Sequence, residues 1–182
     1  MPRLILVRHG RAAAGWGADL DPGLDELGRT QAENVAKVLA PQGPLPIVTS
    51  PLRRCQETAA PLAALWQTAP TVDPRVGEIE SPTPNLADRA AWLGPVMRSN
   101  WSQQPPELHG WWQRVVDGLL SLSQDTVVFS HFVAINVAYG AATGDDRVTC
   151  FAPDNCSVTT FESDGERLTV VDTGREAETR VL

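Results

Sequence analysis

Short unbroken apolar runs alternate with longer amphipathic stretches through most of the chain. Leu4-Ile5-Leu6-Val7, Ile47-Val48-Thr49 and Thr126-Val127-Val128-Phe129 have no polar alternation, as expected of strands covered on both faces of a parallel sheet. Thr71-Val72 reads as a shorter third strand between the last two. After the first run, Asp25 is placed to cap a helix over about 26–39, with Leu27, Val35, Val38 and Leu39 on one broad face. After the second, Ser50-Pro51 supplies a cap followed by a first-turn proline, opening a helix that carries Leu52, Cys55, Ala59, Leu62, Ala63 and Trp66 at helical spacing. Helices are also expected over 111–122 and about 133–142. Ser157–Glu162 and Arg167–Asp172 read as a hairpin around Ser163-Asp164-Gly165-Glu166. The expected fold is a three-layer α/β/α sandwich in one domain, its central sheet mostly parallel with an antiparallel edge.

The pattern loosens from Ala69 to about Glu107, where seven prolines interrupt it. Short helices and loops are expected there, with residues about 79–112 packed as a lid over a site rather than as a second domain. Trp92, Trp101, Trp111 and Trp112 sit in or beside this stretch and are read as filling the lid's own small core.

Composition narrows the classes. A net charge of −7 argues against a nucleic-acid surface, and no stretch is long enough to span a bilayer. Three cysteines without close pairing, and no apolar run long enough for a signal peptide, lead to the expectation of a cytoplasmic protein without disulfides. Three histidines without a Cys-rich or Asp-rich partner motif argue against a metal site, and no cofactor is expected. All but one of the cations are Arg, the residue suited to bidentate phosphate contacts.

Three polar clusters fall at carboxyl ends of expected strands: Arg8-His9-Gly10, Ser50-Pro51-Leu52-Arg53-Arg54 and Ser130-His131. In open α/β sheets that edge is where ligands bind. Two Arg can hold a tetrahedral dianion, a neutral His can attack phosphorus, and a second His can donate to the equatorial oxygens. A carboxylic acid must protonate the leaving alkoxide, and Glu78 and Glu80 are the candidates.

These residues resemble the histidine phosphatase superfamily, also called the phosphoglycerate mutase-like family. The likeness rests on LILVRHG at the start, LDELGRTQA at 24–32, SPLRRCQETA at 50–59, DPRVGEI at 73–79, VVFSH at 127–131 and Asn155-Cys156-Ser157. It implies the phosphoglycerate mutase-like fold and a metal-independent phosphatase acting on small phosphomonoesters. His9 would be the phosphoryl-accepting nucleophile. Arg8, Arg54 (rather than Arg53) and His131 would complete the phosphate pocket, and Glu78 (rather than Glu80) would be the acid. Arg11 and Ala12 stand where members often carry Glu or Gln and then Thr or Ser, and Phe132 replaces a small residue often found after the second His. The segment after Ile79 lacks the family's usual Gly and Trp-Glu-Gly signature. Two alternatives stay open: mutase-type phosphoryl transfer and a non-catalytic module that binds phospho-ligands. The weakly charged, Trp-rich lid points to a small or partly apolar substrate, and a homodimer is left open.

Overall fold

The computed structural model describes residues 1–178. Six strands form one sheet: β1 (Arg3–Arg8), β2 (Ile47–Thr49), β3 (Thr71–Val72), β4 (Thr126–Ser130), β5 (Val158–Ser163) and β6 (Leu168–Asp172). Their spatial order is β3-β2-β4-β1-β5-β6. The first four are parallel, and β5 and β6 form an antiparallel edge beside β1. Helices α1 (Glu26–Leu39) and α2 (Arg53–Trp66) follow β1 and β2. The segment between β3 and β4 holds α3 (Leu86–Met97) and α4 (Pro106–Leu120), and α5 (Phe132–Thr143) follows β4.

The unbroken apolar runs have the predicted cause. In β1, Leu4 and Leu6 pack on one face with α4 and α5 residues such as Val115, Leu119, Ile135 and Val137. Ile5 and Val7 pack on the other with Val35, Leu39, Leu62 and Ala63 of α1 and α2. Each such side chain taken from water contributes about 1.5–3 kcal/mol. The sheet is therefore covered on both faces, as the three-layer sandwich requires. No helix among the described residues is long and apolar enough to cross a membrane.

Three boundaries differ from the sequence reading. Helix α2 begins at Arg53, with Leu52 as its cap residue and no side-chain cap. Ser50 instead turns its hydroxyl toward the Leu52 N–H (3.2 Å) and His131 (2.8 Å). Helix α4 starts at Pro106, earlier than expected, because Pro106 occupies the first helical position where no N–H is required. Helix α3 is longer than the short helices expected of a proline-rich stretch: Asn85 caps it, and Pro95 falls only in its last turn. Trp101 and Trp111 are buried and stacked 6.0 Å apart, with Trp92 and Trp112 packed at the edge of the same core.

The sheet ladder runs one residue past the strands. The His9 N–H donates to the Ser130 carbonyl and the Ser50 N–H to the Phe129 carbonyl, both at 3.1 Å. That extension brings His9, Ser50 and His131 side by side on the carboxyl rim, where β4 lies between β1 and β2.

Candidate active site

The chain after β1 turns sharply against α1. A Cβ on Gly10 would lie 2.6 Å from the Gly28 carbonyl oxygen, and one on Gly28 would fall inside the Arg11 carbonyl, so neither position tolerates a side chain. The Gly10 N–H donates to Thr58 Oγ1 at 2.9 Å, and that hydroxyl donates to the Arg54 carbonyl at 2.5 Å. The Asn155 side-chain amide donates to the His9 carbonyl at 2.9 Å. The backbone on both sides of His9 is thereby anchored to α2 and to the segment before β5.

His9 is buried, and its Nδ1 lies 2.7 Å from the Gly10 carbonyl oxygen. A carbonyl only accepts, so Nδ1 carries the hydrogen and the free lone pair is on Nε2. Burial, with His131, Arg54 and Arg8 nearby, holds His9 well below the usual histidine range, so the ring is neutral. Arg54 Nε donates to that lone pair at 3.2 Å. Through Nη2, Arg54 also pairs with Glu78 Oε2 at 3.3 Å. Arg8, equally buried, donates to the Pro153 carbonyl at 2.9 Å, and its guanidinium lies 5.3 Å from the centre of the Phe132 ring.

Glu78 and His131 form the back of this group. Glu78 Oε2 stands 3.3 Å from His131 Nδ1, in ion-pair range but off hydrogen-bond geometry, which leaves Nδ1 without a hydrogen-bond partner. Burial works to raise the Glu78 carboxyl; His131, Arg54 and the Ile79 N–H outweigh it, and Glu78 is held well below the usual carboxylate range. His131 is lowered as well, because burial outweighs the pull of Glu78. On its far side, His131 Nε2 meets Ser50 Oγ at 2.8 Å and Cys55 Sγ at 3.4 Å.

Arg8, His9, Arg54, Glu78 and Asn155 line one cavity of about 330 Å³. His131 is fully buried behind that wall, its ring 5.3 Å from that of His9. The remaining wall comes from the loop after β1 (Arg11–Trp16, Asp19, Leu20 and Pro22), from α3 (Arg89, Leu93 and Met97) and from Phe132 and Val133. Arg53 and Glu80 lie outside this cavity: Arg53 is exposed and pairs with Glu57 at 3.1 Å, and exposed Glu80 pairs with Arg114 at 3.0 Å. His109 is also elsewhere, with Nε2 2.6 Å from the Trp101 carbonyl. Sequence reasoning missed Trp16, since an isolated Trp in a Gly- and Ala-rich loop carries no periodic signal, and it gave Ser50, though part of a strand-end polar cluster, no role beyond a helix cap.

Two His and two buried Arg thus converge at the carboxyl rim of an α/β sandwich, an arrangement able to hold a compact anion. Comparison with known proteins gives the particular class. The description of the histidine phosphatase superfamily (branch 1) matches residues 4–175. The chain belongs to that superfamily. Glucosyl-3-phosphoglycerate phosphatase of Mycobacterium tuberculosis is 42% identical over 80 residues, which are 42% of this chain and 36% of that protein. The chain thus matches about a third of the length of these curated relatives. Phosphoserine phosphatase 1 of Hydrogenobacter thermophilus is 27% identical over 198 aligned positions, covering 92% of this chain and 89% of the relative. Among solved structures, a mycobacterial glucosyl-3-phosphoglycerate phosphatase complexed with VO3 superposes with a TM-score of 0.69 at 26% identity, over 94% of this chain and 97% of its own. A phosphoserine phosphatase from Entamoeba histolytica, complexed with 3-phosphoglyceric acid, reaches 0.72 at 19% identity over 96% and 98%, a likeness of fold alone.

Proposed function

We propose that the protein hydrolyses small phosphomonoesters through a covalent phosphohistidine on His9, without a metal. The observation that carries this reading is the state of His9. It is a neutral ring whose Nδ1 is tied to the Gly10 carbonyl, which leaves the Nε2 lone pair beside Arg54 at the cavity. In the first step the Arg54 Nε–H passes from the His9 Nε2 lone pair to a phosphoryl oxygen, Nε2 attacks phosphorus as the bond to the leaving oxygen breaks, and Glu78 gives that oxygen its proton. In the second, Glu78 takes a proton from water, the water oxygen attacks phosphorus, the P–N bond breaks, and phosphate and neutral His9 are released. Arg8 and Arg54 hold the phosphoryl oxygens, with His131 supporting Glu78 and the transferring group from behind.

Glu78, held low, is ionised before substrate binds, whereas the first step needs it protonated. A phosphate dianion placed beside it engages Arg54 and adds negative charge, and both effects raise the carboxyl pKa. Substrate binding therefore takes up a proton. Residues 79–112 act as a lid, on the strength of Arg89, Leu93 and Met97 forming part of the cavity wall.

The test is phosphate release from a broad panel together with label transfer from a ³²P-monoester. Wild type is expected to release phosphate and to carry an acid-labile, alkali-stable label, chelator to leave the rate intact, and His9→Ala to do neither. Release that persists in His9→Ala, or that chelation destroys, overturns the mechanism.

A further inference from the structure

A second opening meets the reaction site at Glu78. It is a groove of about 490 Å³ that shares Leu20, Glu78 and Arg89 with the cavity described above. The rest of it comes from Pro51 and Leu52 at the corner between β2 and α2, from Pro74 and Gly77, and from the 79–84 segment. That segment is where the chain departs from its family, carrying Pro82 and Pro84 in place of the usual Gly and Trp-Glu-Gly signature. The surface is within a ligand's reach: the Glu78 side chain keeps 13% of its accessible area, and Leu20, Pro51, Pro82 and Pro84 are exposed.

Proline holds its backbone shape with or without a ligand, so a groove carrying four of them is largely pre-formed. Its polar groups are already engaged. Ser81 Oγ donates to the Thr83 carbonyl at 2.9 Å and accepts from the Thr83 N–H at 3.3 Å. Glu78 pairs with Arg54 and Glu80 with Arg114. Arg89 lays its guanidinium over the Trp16 ring, 4.3 Å from its centre. Arg89 Nη1 and Trp16 Nε1 lack a hydrogen-bond partner, but both are shielded from solvent and so out of a ligand's reach. A ligand here gains by covering Leu20, Leu52 and the proline rings, whereas a charged tail would leave water with no free partner to meet it.

In-line attack puts the leaving oxygen opposite His9 and beside its proton donor. The leaving alcohol therefore starts in the cavity near Leu93 and Met97 and has the groove ahead of it past Glu78. We propose that this groove is the leaving-group site, and that the substrate is the phosphomonoester of an extended, uncharged, apolar alcohol. This rests on the reading that the phosphoryl end occupies the Arg8, His9 and Arg54 pocket with Glu78 as the acid.

A binding measurement separates the two readings. Calorimetric titration of the full chain with methylphosphonate, hexylphosphonate and 5-carboxypentylphosphonate uses ligands that cannot be hydrolysed. Hexylphosphonate is expected to bind wild type about thirtyfold more tightly than methylphosphonate, as partial burial of the added methylenes implies. The carboxylated ligand is expected to lose most of that gain. Pro82→Asp, an exposed change in the groove alone, is expected to cut the hexyl-to-methyl ratio about fivefold or more and to leave methylphosphonate affinity near wild type. Leu52→Ala is expected to cut the ratio several-fold. Three results overturn the proposal even if hydrolysis is confirmed: a ratio near one in wild type, a ratio untouched by both variants, or equal affinity for the carboxylated and plain hexyl ligands. A ratio that behaves as expected in a protein that releases no phosphate supports the groove and removes the hydrolase reading alone.

Discussion

The floor and the wall of the cavity are built on opposite plans. The floor side chains, Arg8, His9, Arg54 and Glu78, are packed against strand ends, and contacts to backbone or to one another hold each of them. The wall comes from a Gly- and Ala-rich loop and from α3; it is mostly apolar, and its two buried donors are unsatisfied. Floor and wall thus divide the labour. A floor tied directly to strand ends can place reacting atoms to fractions of an ångström, while a looser wall can change its preference for a leaving group without disturbing them.

The largest effect is expected at Arg54, whose side chain donates to both His9 and Glu78. Arg54→Ala is expected to lower kcat/KM by roughly 10³-fold, as loss of an arginine at a transferring phosphoryl group does. Steady-state assays on several monoesters should show a similar factor for each, because Arg54 holds the transferring phosphoryl group rather than the leaving group.

Glu78→Gln sharpens the contrast through the leaving group itself. Loss of a positioned acid costs about 10²–10⁴-fold. That cost is expected for alkyl phosphates, whose alkoxides need a proton, and is expected to shrink strongly for 4-nitrophenyl phosphate, whose phenolate does not. Equal losses on both substrates would remove Glu78 from the donor role.

On the wall, Leu93→Ala is expected to act mainly on KM, by several-fold, since a truncated apolar contact is worth about 1–3 kcal/mol at most. A kcat loss as large as that of Glu78→Gln would erase the division between the regions.

The smallest effect is on stability. His9 and His131 are both held below the ordinary histidine value, so the unfolded chain binds protons that the folded one refuses. Stability is thus complete above the unfolded value and is lost as pH falls through and below about 6.5, with a limiting slope near 1.4 kcal/mol per pH unit per histidine. Melting temperatures between pH 8 and 5 should fall, and His9→Gln should flatten part of that fall. Glu78, held low, loses its contribution only at far more acid pH.

The same contrast explains what could be read from the residues alone. Strands β1, β2 and β4 announce themselves because burial on both faces demands unbroken apolar runs, and Arg8, His9 and His131 stand at the ends of two of those runs. Helix α1 is framed by Asp25, whose side chain accepts from the Gly28 N–H at 2.7 Å. Ser50 misled because one hydroxyl can satisfy either a helix end or a neighbouring ring, and His131, 81 residues away, is invisible to local reasoning. The wall was least legible for a related reason. Trp16 and Arg89 meet only through tertiary folding, and neither lies on a periodic face that would have marked it.

The glycine contact between Gly10 and Gly28 has a consequence for redesign. Just beyond it the chain is pinned again, by the Asp25 N–H on the Arg11 carbonyl (3.1 Å), the bridge of Ala12 with Leu24, and the Ala13 N–H on the Gly23 carbonyl (2.8 Å). Residues 14–22 therefore leave and re-enter the fold through one narrow neck. Loops closed at a fixed neck tolerate changes of length at small entropic cost. Grafting a foreign segment into that neck would exchange one side of the substrate chamber as a cassette, with the reacting histidine left on its original mount.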